Sequence, residues 1–229
     1  MNSKPIWIKI CANTSLADAR LAVEAGADAV GFVFAPSPRQ VNAAEVAAIT
    51  PHLPATVEKI GVFVDATPEE IVSTVQACGL TGVQLHFDAD PDLPTRLREL
   101  LGPEVRILRV IHFHAASAAQ CVAEIAECSQ NPHVDAVLVD SRTTVAAGGT
   151  GVTYDWVEAR KAIFENAETR KRLVAAGGLN PANVAEAIAT LRPWGVDVAS
   201  GVEAAPGRKD VAKVKEFIVH ARAVDREME

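Results

Sequence analysis

Short apolar runs rich in β-branched residues recur eight times along the chain, and each is followed by a longer Ala-, Glu- and Leu-rich segment with helical spacing. The runs are Ile6–Cys11, Ala29–Phe34, Glu58–Val64, Gly82–His86, Arg106–His112, Val134–Val139, Leu173–Ala176 and Val196–Ala199. Most are almost continuously apolar, as expected of parallel strands covered on both faces. The intervening helices are predicted near Leu16–Ala25, Ala43–Thr50, Pro68–Cys78, Asp92–Leu101, Ser117–Glu127, Tyr154–Asn166, Pro181–Thr190 and Asp210–Ala223. Several have start signals. Ser15 stands three residues before Asp18, Asn42 three before Glu45, and Thr67 precedes Pro68-Glu69-Glu70. Asn180-Pro181 repeats the device of proline at the first helical position.

Eight strand–helix units in 229 residues match a single-domain (β/α)8 (TIM) barrel. A doubly wound open sheet is the alternative, but it would place a GxGxxG turn after the first strand, and none stands there. No Ser/Gly/Pro-rich linker separates two compositions, so residues 1–229 read as one domain, with a polar, frayed end at 224–229.

The charge balance narrows the partners. A net charge of -7 disfavours a nucleic-acid-binding face. It leaves room for an anionic small ligand, because backbone N–H groups bind phosphate locally whatever the net charge. No apolar run approaches the ~20 residues of a membrane-spanning helix. The N-terminus has no long apolar region before a cleavage site. A cytoplasmic protein is therefore expected. Cys11, Cys78, Cys121 and Cys128 form no CxxC pair and no ligand spacing, which predicts reduced thiols and no metal site.

In such a barrel, chemistry sits at the C-terminal ends of the strands. Those ends offer Lys9-Ile10-Cys11, Arg39 after the second strand, Val64-Asp65, Gln84-Leu85-His86, then Arg109, His112 and His114, then Asp140 and Arg142. Gly177-Gly178 follows the seventh strand, and Asp197, Ser200, Gly201 and Glu203 accompany the eighth. The stretch VDAVLVDSRTTVAAGGTGVTYDW, from Val134 to Trp156, ends a buried strand on Asp140 and then enters a loop with Gly148-Gly149-Thr150-Gly151. Glycines after strands six, seven and eight, with Ser200, make a phosphate corner the favoured reading over plain tight turns. Gly149 and Gly151 would close over it, while Gly177, Gly178, Ser200 and Gly201 would line it.

Cys11 at a barrel mouth can serve as a thiolate base or nucleophile, or simply pack. Asp140 alone can be an acid or a loop cap. Together they suggest an acid and a base on separated strands with a substrate between them. Arg39, stiffened by Pro36 and Pro38, could pin a carboxylate or lie on the surface. His86 could contact a ligand or pack.

The ordered set of motifs resembles the phosphoribosylanthranilate isomerase family of tryptophan biosynthesis over nearly the whole chain. The motifs are LysIleCys, GlyPheValPhe with SerProArg, GlnLeuHis, LeuValAspSer, GlyGlyThrGly, AlaGlyGlyLeu and GlyValAspValAlaSerGlyValGlu. The resemblance implies an aldose–ketose isomerase. It would convert N-(5′-phosphoribosyl)anthranilate to 1-(2-carboxyphenylamino)-1-deoxyribulose 5-phosphate by an Amadori rearrangement, without metal or organic cofactor. It implies Asp140 as general acid, Cys11 as base and Arg39 on the anthranilate carboxylate. It also implies a monomer or homodimer that takes a small phosphorylated substrate.

The chain departs from the family pattern twice, with Ala12 and Phe87 where the family usually has glycine. If the first glycine serves a positive φ, Ala12 would strain its loop. Phe87 would line or narrow the aromatic end of the pocket. Two other functions stay open on these residues. One is a related histidine-pathway isomerase, which uses a carboxylate where this chain has Cys11. The other is a non-catalytic barrel that binds a phosphate ligand.

Overall fold

A computed structural model describes residues 5–86, 90–113, 118–140, 156–165 and 171–227. The elements are β1 (Trp7–Ile10), α1 (Leu16–Ala25), β2 (Ala29–Val33), α2 (Ala43–Ile49), β3 (Glu58–Val64), α3 (Pro68–Cys78), β4 (Gly82–His86) and α4 (Leu93–Leu101). They continue with β5 (Arg106–His112), α5 (Ala118–Gln130), β6 (Ala136–Asp140), α6 (Trp156–Ala159), β7 (Arg172–Ala176), α7 (Val184–Leu191), β8 (Gly195–Val198), β9 (Glu203–Ala205), β10 (Arg208–Lys209) and α8 (Val211–Glu227). Strands β1 to β8 pair in chain order, all parallel, and β8 returns to β1 to close the barrel. The chain is a single-domain (β/α)8 barrel.

Local chemistry sets the helix starts. The Ser15 hydroxyl accepts from the Asp18 N–H at 3.1 Å. Asn42 with Glu45, and Thr67 with Glu70, each form a complete capping box. The start of α7 differs from the expectation at Pro181. The Asn180 side chain accepts from the Ala182 N–H, and the Asn183 side chain accepts from the Asn180 N–H while donating to the Gly178 carbonyl. These bonds hold a turn that ties the loop back on itself, so the helix begins only after Asn183. Helix α6 passes into a π-helical segment, Arg160–Phe164. The sequence places the α6 start at Tyr154, which lies outside the described residues. Helix α8 carries helical backbone into the tail expected to fray.

Strand alternation divides the core. Inside the barrel lie Trp7, Ala29, Ile60, Leu108, Val110, Ala136, Leu138, Val174 and Ala176. The alternate residues, such as Ile8, Val30, Ile107 and Val137, pack in the layer shared with the helices. Each fully buried aliphatic side chain there stabilises the fold by roughly 1.5–3 kcal/mol. The end at the strand N-termini is plugged. Trp7 stacks on Trp194 at 5.2 Å, with Arg106 and Arg172 over the Trp194 ring. Glu58 accepts from both Trp7 and Arg106. All four cysteines are buried and none forms a disulfide. Among the described residues no helix is long and apolar enough to cross a membrane.

Candidate active site

The inward register that places Trp7 in the core also places Lys9 and Cys11 inside, two and four residues further along β1. The same parity aims Gln84 and His86 of β4, His112 of β5, Asp140 of β6 and Asp197 of β8 at the mouth.

Cys11 stands just beyond β1, where its N–H extends the ladder to the Val198 carbonyl at 2.8 Å. The chain then turns sharply. Ala12 has φ 61°, in the left-handed region that glycine favours. Asn13 clamps the turn, with its side chain donating to the carbonyls of Ile10 and Gly31 and its own N–H donating to Gly31. These bonds hold Ala12 in a conformation that an alanine would otherwise leave. The strain expected at Ala12 is therefore present.

Beneath the thiol lies Lys9, fully buried. Its ammonium donates to Gln84 Oε1 at 2.8 Å and to Asp197 Oδ1 at 2.9 Å, and its charge acts on Cys11. Burial alone would lower the Lys9 pKa, but Asp197 and Cys11 outweigh it and hold the pKa above its ordinary value. Burial pushes the Cys11 thiol up, with Asp197 adding to the rise, while Lys9 and the more distant Lys209 oppose it without cancelling it. Lys9 also fixes a neighbour. An ammonium can only donate, so the Gln84 oxygen must face it, and the Gln84 amide nitrogen then donates to His86 Nε2 at 3.0 Å. His86 Nε2 is an acceptor, which puts the ring proton on Nδ1. The His86 and His112 rings face each other at 5.9 Å.

Arg39, in the loop after β2, is committed. Its Nε and Nη2 grip the Glu203 carboxylate through three hydrogen bonds of 2.7–3.0 Å. Glu203 also accepts from the Gly207 N–H and lies 3.4 Å from Lys209 Nζ. Burial alone would raise the Glu203 carboxyl, but Arg39, Lys209 and the Gly207 N–H hold it below its ordinary value. For Lys209 burial dominates and lowers the pKa despite Glu203. Glu203 and Lys209 sit on the β9–β10 hairpin, which sequence reading did not find because its strands are only three and two residues long.

Asp140 is the last residue of β6, buried, and paired in register with His112 on one side and Ala176 on the other. Strands β7 and β8 separate it from β1 around the barrel. Gly177 and Gly178 both take positive φ, 85° and 65°. Gly201 abuts the Leu179 carbonyl so closely that a Cβ there would be driven into it. The loops after β7 and β8 are thereby packed together, and Ser200 opens the short 3₁₀ turn Ser200–Val202 beside them.

Not every strand-end residue faces the mouth. Arg109 alternates with the inward Leu108 and Val110, and its charge acts on Cys128 of α5, in the outer layer. Gly149 and Gly151, with the whole Gly148–Gly151 stretch expected to close over the phosphate, lie outside the described residues, as do Phe87, His114 and Arg142. Conversely, Lys9, Gln84 and Asp197 stand among the strand-end residues of the sequence, which by itself gives them no role. The signal for Lys9 was its spacing, two residues before Cys11 and hence on the same face.

A buried thiol over an ammonium, and a carboxylate three strands away at the same mouth, are groups able to exchange protons with a ligand, and they stand in a (β/α)8 barrel. A sequence model of the family described as N-(5′-phosphoribosyl)anthranilate (PRA) isomerase matches residues 8–220. The chain belongs to that family. It is 42% identical over 218 residues to N-(5′-phosphoribosyl)anthranilate isomerase of Trichlorobacter lovleyi, covering 95% of this chain and 98% of the relative. Phosphoribosyl anthranilate isomerase of Thermotoga maritima superposes with a TM-score of 0.81 at 35% identity, covering 95% of this chain and 99% of that one. A structure of phosphoribosyl anthranilate isomerase in complex with reduced 1-(o-carboxyphenylamino)-1-deoxyribulose 5-phosphate gives a TM-score of 0.78 at 33% identity, with 95% and 99% covered.

Proposed function

We propose that this chain converts N-(5′-phosphoribosyl)anthranilate to 1-(2-carboxyphenylamino)-1-deoxyribulose 5-phosphate in tryptophan biosynthesis, with Asp140 as general acid and Cys11 as general base. The Asp140 carboxyl gives its proton to the furanose ring oxygen. The C1′–O bond breaks and the anilino nitrogen's lone pair forms the imine. The Cys11 thiolate removes the C2′ proton, the electron pair of that C–H bond becomes the C1′=C2′ bond, and the C1′=N pair returns to nitrogen, giving an enolamine. Protonation at C1′ with loss of the 2′-hydroxyl proton then gives the ketone. The observation that carries this reading is the placement of Cys11 and Asp140 on the inward face of strands separated by β7 and β8, where a substrate can lie between them.

Binding is divided between the ends of the substrate. Arg39 holds the anthranilate carboxylate with the N–H groups that Glu203 leaves free. Gly177, Gly178, Ser200 and Gly201 hold the phosphate through backbone N–H groups, with Gly149 and Gly151 closing over it. His86 contacts the ligand from β4. A cytoplasmic address suits such a biosynthetic step.

The test is turnover of freshly formed phosphoribosylanthranilate by wild type, Cys11→Ser and Asp140→Asn. Each substitution should lower kcat by about 10²-fold or more. Undiminished turnover in both would sink the assignment. Wild-type protein that binds the product analogue yet turns nothing over would instead be a ligand-binding barrel.

A further inference from the structure

We propose that Lys9 is a positioning residue for the reaction: its ammonium, fixed by Asp197 and Gln84, stands beneath Cys11 and stabilises the thiolate that takes the C2′ proton. This rests on the reading of Cys11 as the base. The geometry is specific. A Cβ on Gly31 would meet Cys11 Sγ at 2.6 Å and Lys9 Cε at 3.0 Å, so the two side chains converge over one bare patch of β2. Lys9 reaches that patch from inside the barrel with no exposure to water, and its bonds to Asp197 and Gln84 leave one N–H for the sulfur.

The charges around Cys11 come from several elements. Lys9 is on β1, Asp197 on β8, Lys209 on β10 and Arg39 in the loop after β2, with Glu203 of β9 bound to the last two. His86 of β4 is linked to Lys9 through Gln84. A desolvated thiol resists ionisation, and burial does raise the Cys11 pKa. Lys9 is the largest single influence in the opposite direction, and Asp197 works against it. Lys9 itself keeps its proton because Asp197 and Cys11 outweigh its burial. The trio therefore sets how much thiolate forms: Lys9 raises the fraction and Asp197 restrains it, while also holding Lys9 in place.

This gives variants of opposite sign, which a purely structural role would not. The readout is the pH dependence of iodoacetamide alkylation at Cys11, resolved by peptide mass spectrometry, with Cys78, Cys121 and Cys128 as internal controls. Lys9→Met should move the Cys11 profile to higher pH by about one unit, a tenfold loss of thiolate at a given pH. Asp197→Asn should move it to lower pH. The double variant Lys9→Met/Asp197→Asn orphans no buried charge, so it keeps the test alive if Lys9→Met does not fold. Its profile should still move upward, by less than that of the single variant. Shifts of one sign in both single variants, or an unmoved profile in the double, would overturn the role of Lys9. Alkylation does not depend on turnover. A failed Lys9 test therefore leaves the loss of activity in Cys11→Ser standing, whereas an active Cys11→Ser would remove the base itself.

Discussion

Arg39 and Glu203, 164 residues apart in sequence, meet through the Nε–Nη2 edge of the guanidinium and both carboxylate oxygens. The pair is largely buried, so the plane of the guanidinium is set before any ligand arrives. Glu203→Gln keeps the shape but removes the charge and one acceptor oxygen. The expected outcome is a KM for phosphoribosylanthranilate raised by about tenfold, with kcat changed much less, as for a lost anchor that acts equally in ground and transition states. Steady-state kinetics on the two proteins would read this directly. An unchanged KM would mean that Arg39 needs no such orientation.

The same carboxylate contributes to the pH dependence of stability. Arg39, Lys209 and the Gly207 N–H outweigh burial and hold the Glu203 pKa below its unfolded value, about 4.3. Its stabilisation is complete above that value and is lost as pH falls through the depressed folded value. The cost of burying the carboxylate offsets much of what Arg39, Lys209 and the Gly207 N–H contribute, so the effect is modest. Thermal unfolding of wild type and Glu203→Gln should show a Tm gap that is constant near neutrality and closes below about pH 4. A gap that widened on acidification would have the wrong sign.

Ala12 offers a gain rather than a loss. Its φ of 61° costs an alanine about 1 kcal/mol or more relative to glycine. Glycine returns part of that through a freer unfolded chain, about 0.4–1 kcal/mol. The balance favours Ala12→Gly by roughly 0.5 kcal/mol, a rise in Tm of about 1–2 °C for a domain of this size. Calorimetry on the two proteins checks it, and a fall in Tm would show that the Asn13 clamp stabilises the turn with no strain left to relieve.

The barrel was legible in the sequence because strands buried on both faces read as apolar runs, and the bounds of β3, β4 and β5 coincide with theirs. The two capping boxes were legible for the same kind of reason, since their partners lie three residues apart. What escaped depended on distant partners. Lys9 was visible beside Cys11 at the first strand end, but its meaning comes from Gln84 and Asp197, 75 and 188 residues away. Glu203 was visible as a strand-end acid, but nothing local said that it would occupy the fork of Arg39. The late start of α7 turned on the side chains of Asn180 and Asn183 competing with the helix for backbone N–H groups, a competition that Asn-Pro spacing alone did not reveal.

Two glycines distinguish space needed for chemistry from space needed for folding. At Gly201 an added Cβ runs into the Leu179 carbonyl, which is backbone and cannot step aside. Gly201→Ala should therefore act first on stability, at about 1–3 kcal/mol or more. At Gly31 the added Cβ meets Cys11 Sγ at 2.6 Å, Lys9 Cε at 3.0 Å and Cys11 Cα at 3.1 Å. Two of these are side-chain atoms that can rotate away, so the fold can absorb much of the insertion, but the thiol and the ammonium leave the place where they meet. A displacement of about 1 Å at a reacting group can cost about 10²-fold in rate. Gly31→Ala should lower kcat by about that factor with a smaller loss of Tm than Gly201→Ala shows. Kinetics and thermal unfolding measured on both variants would test the contrast, and a Gly31→Ala enzyme with wild-type kcat would show that the thiol does not need its present position.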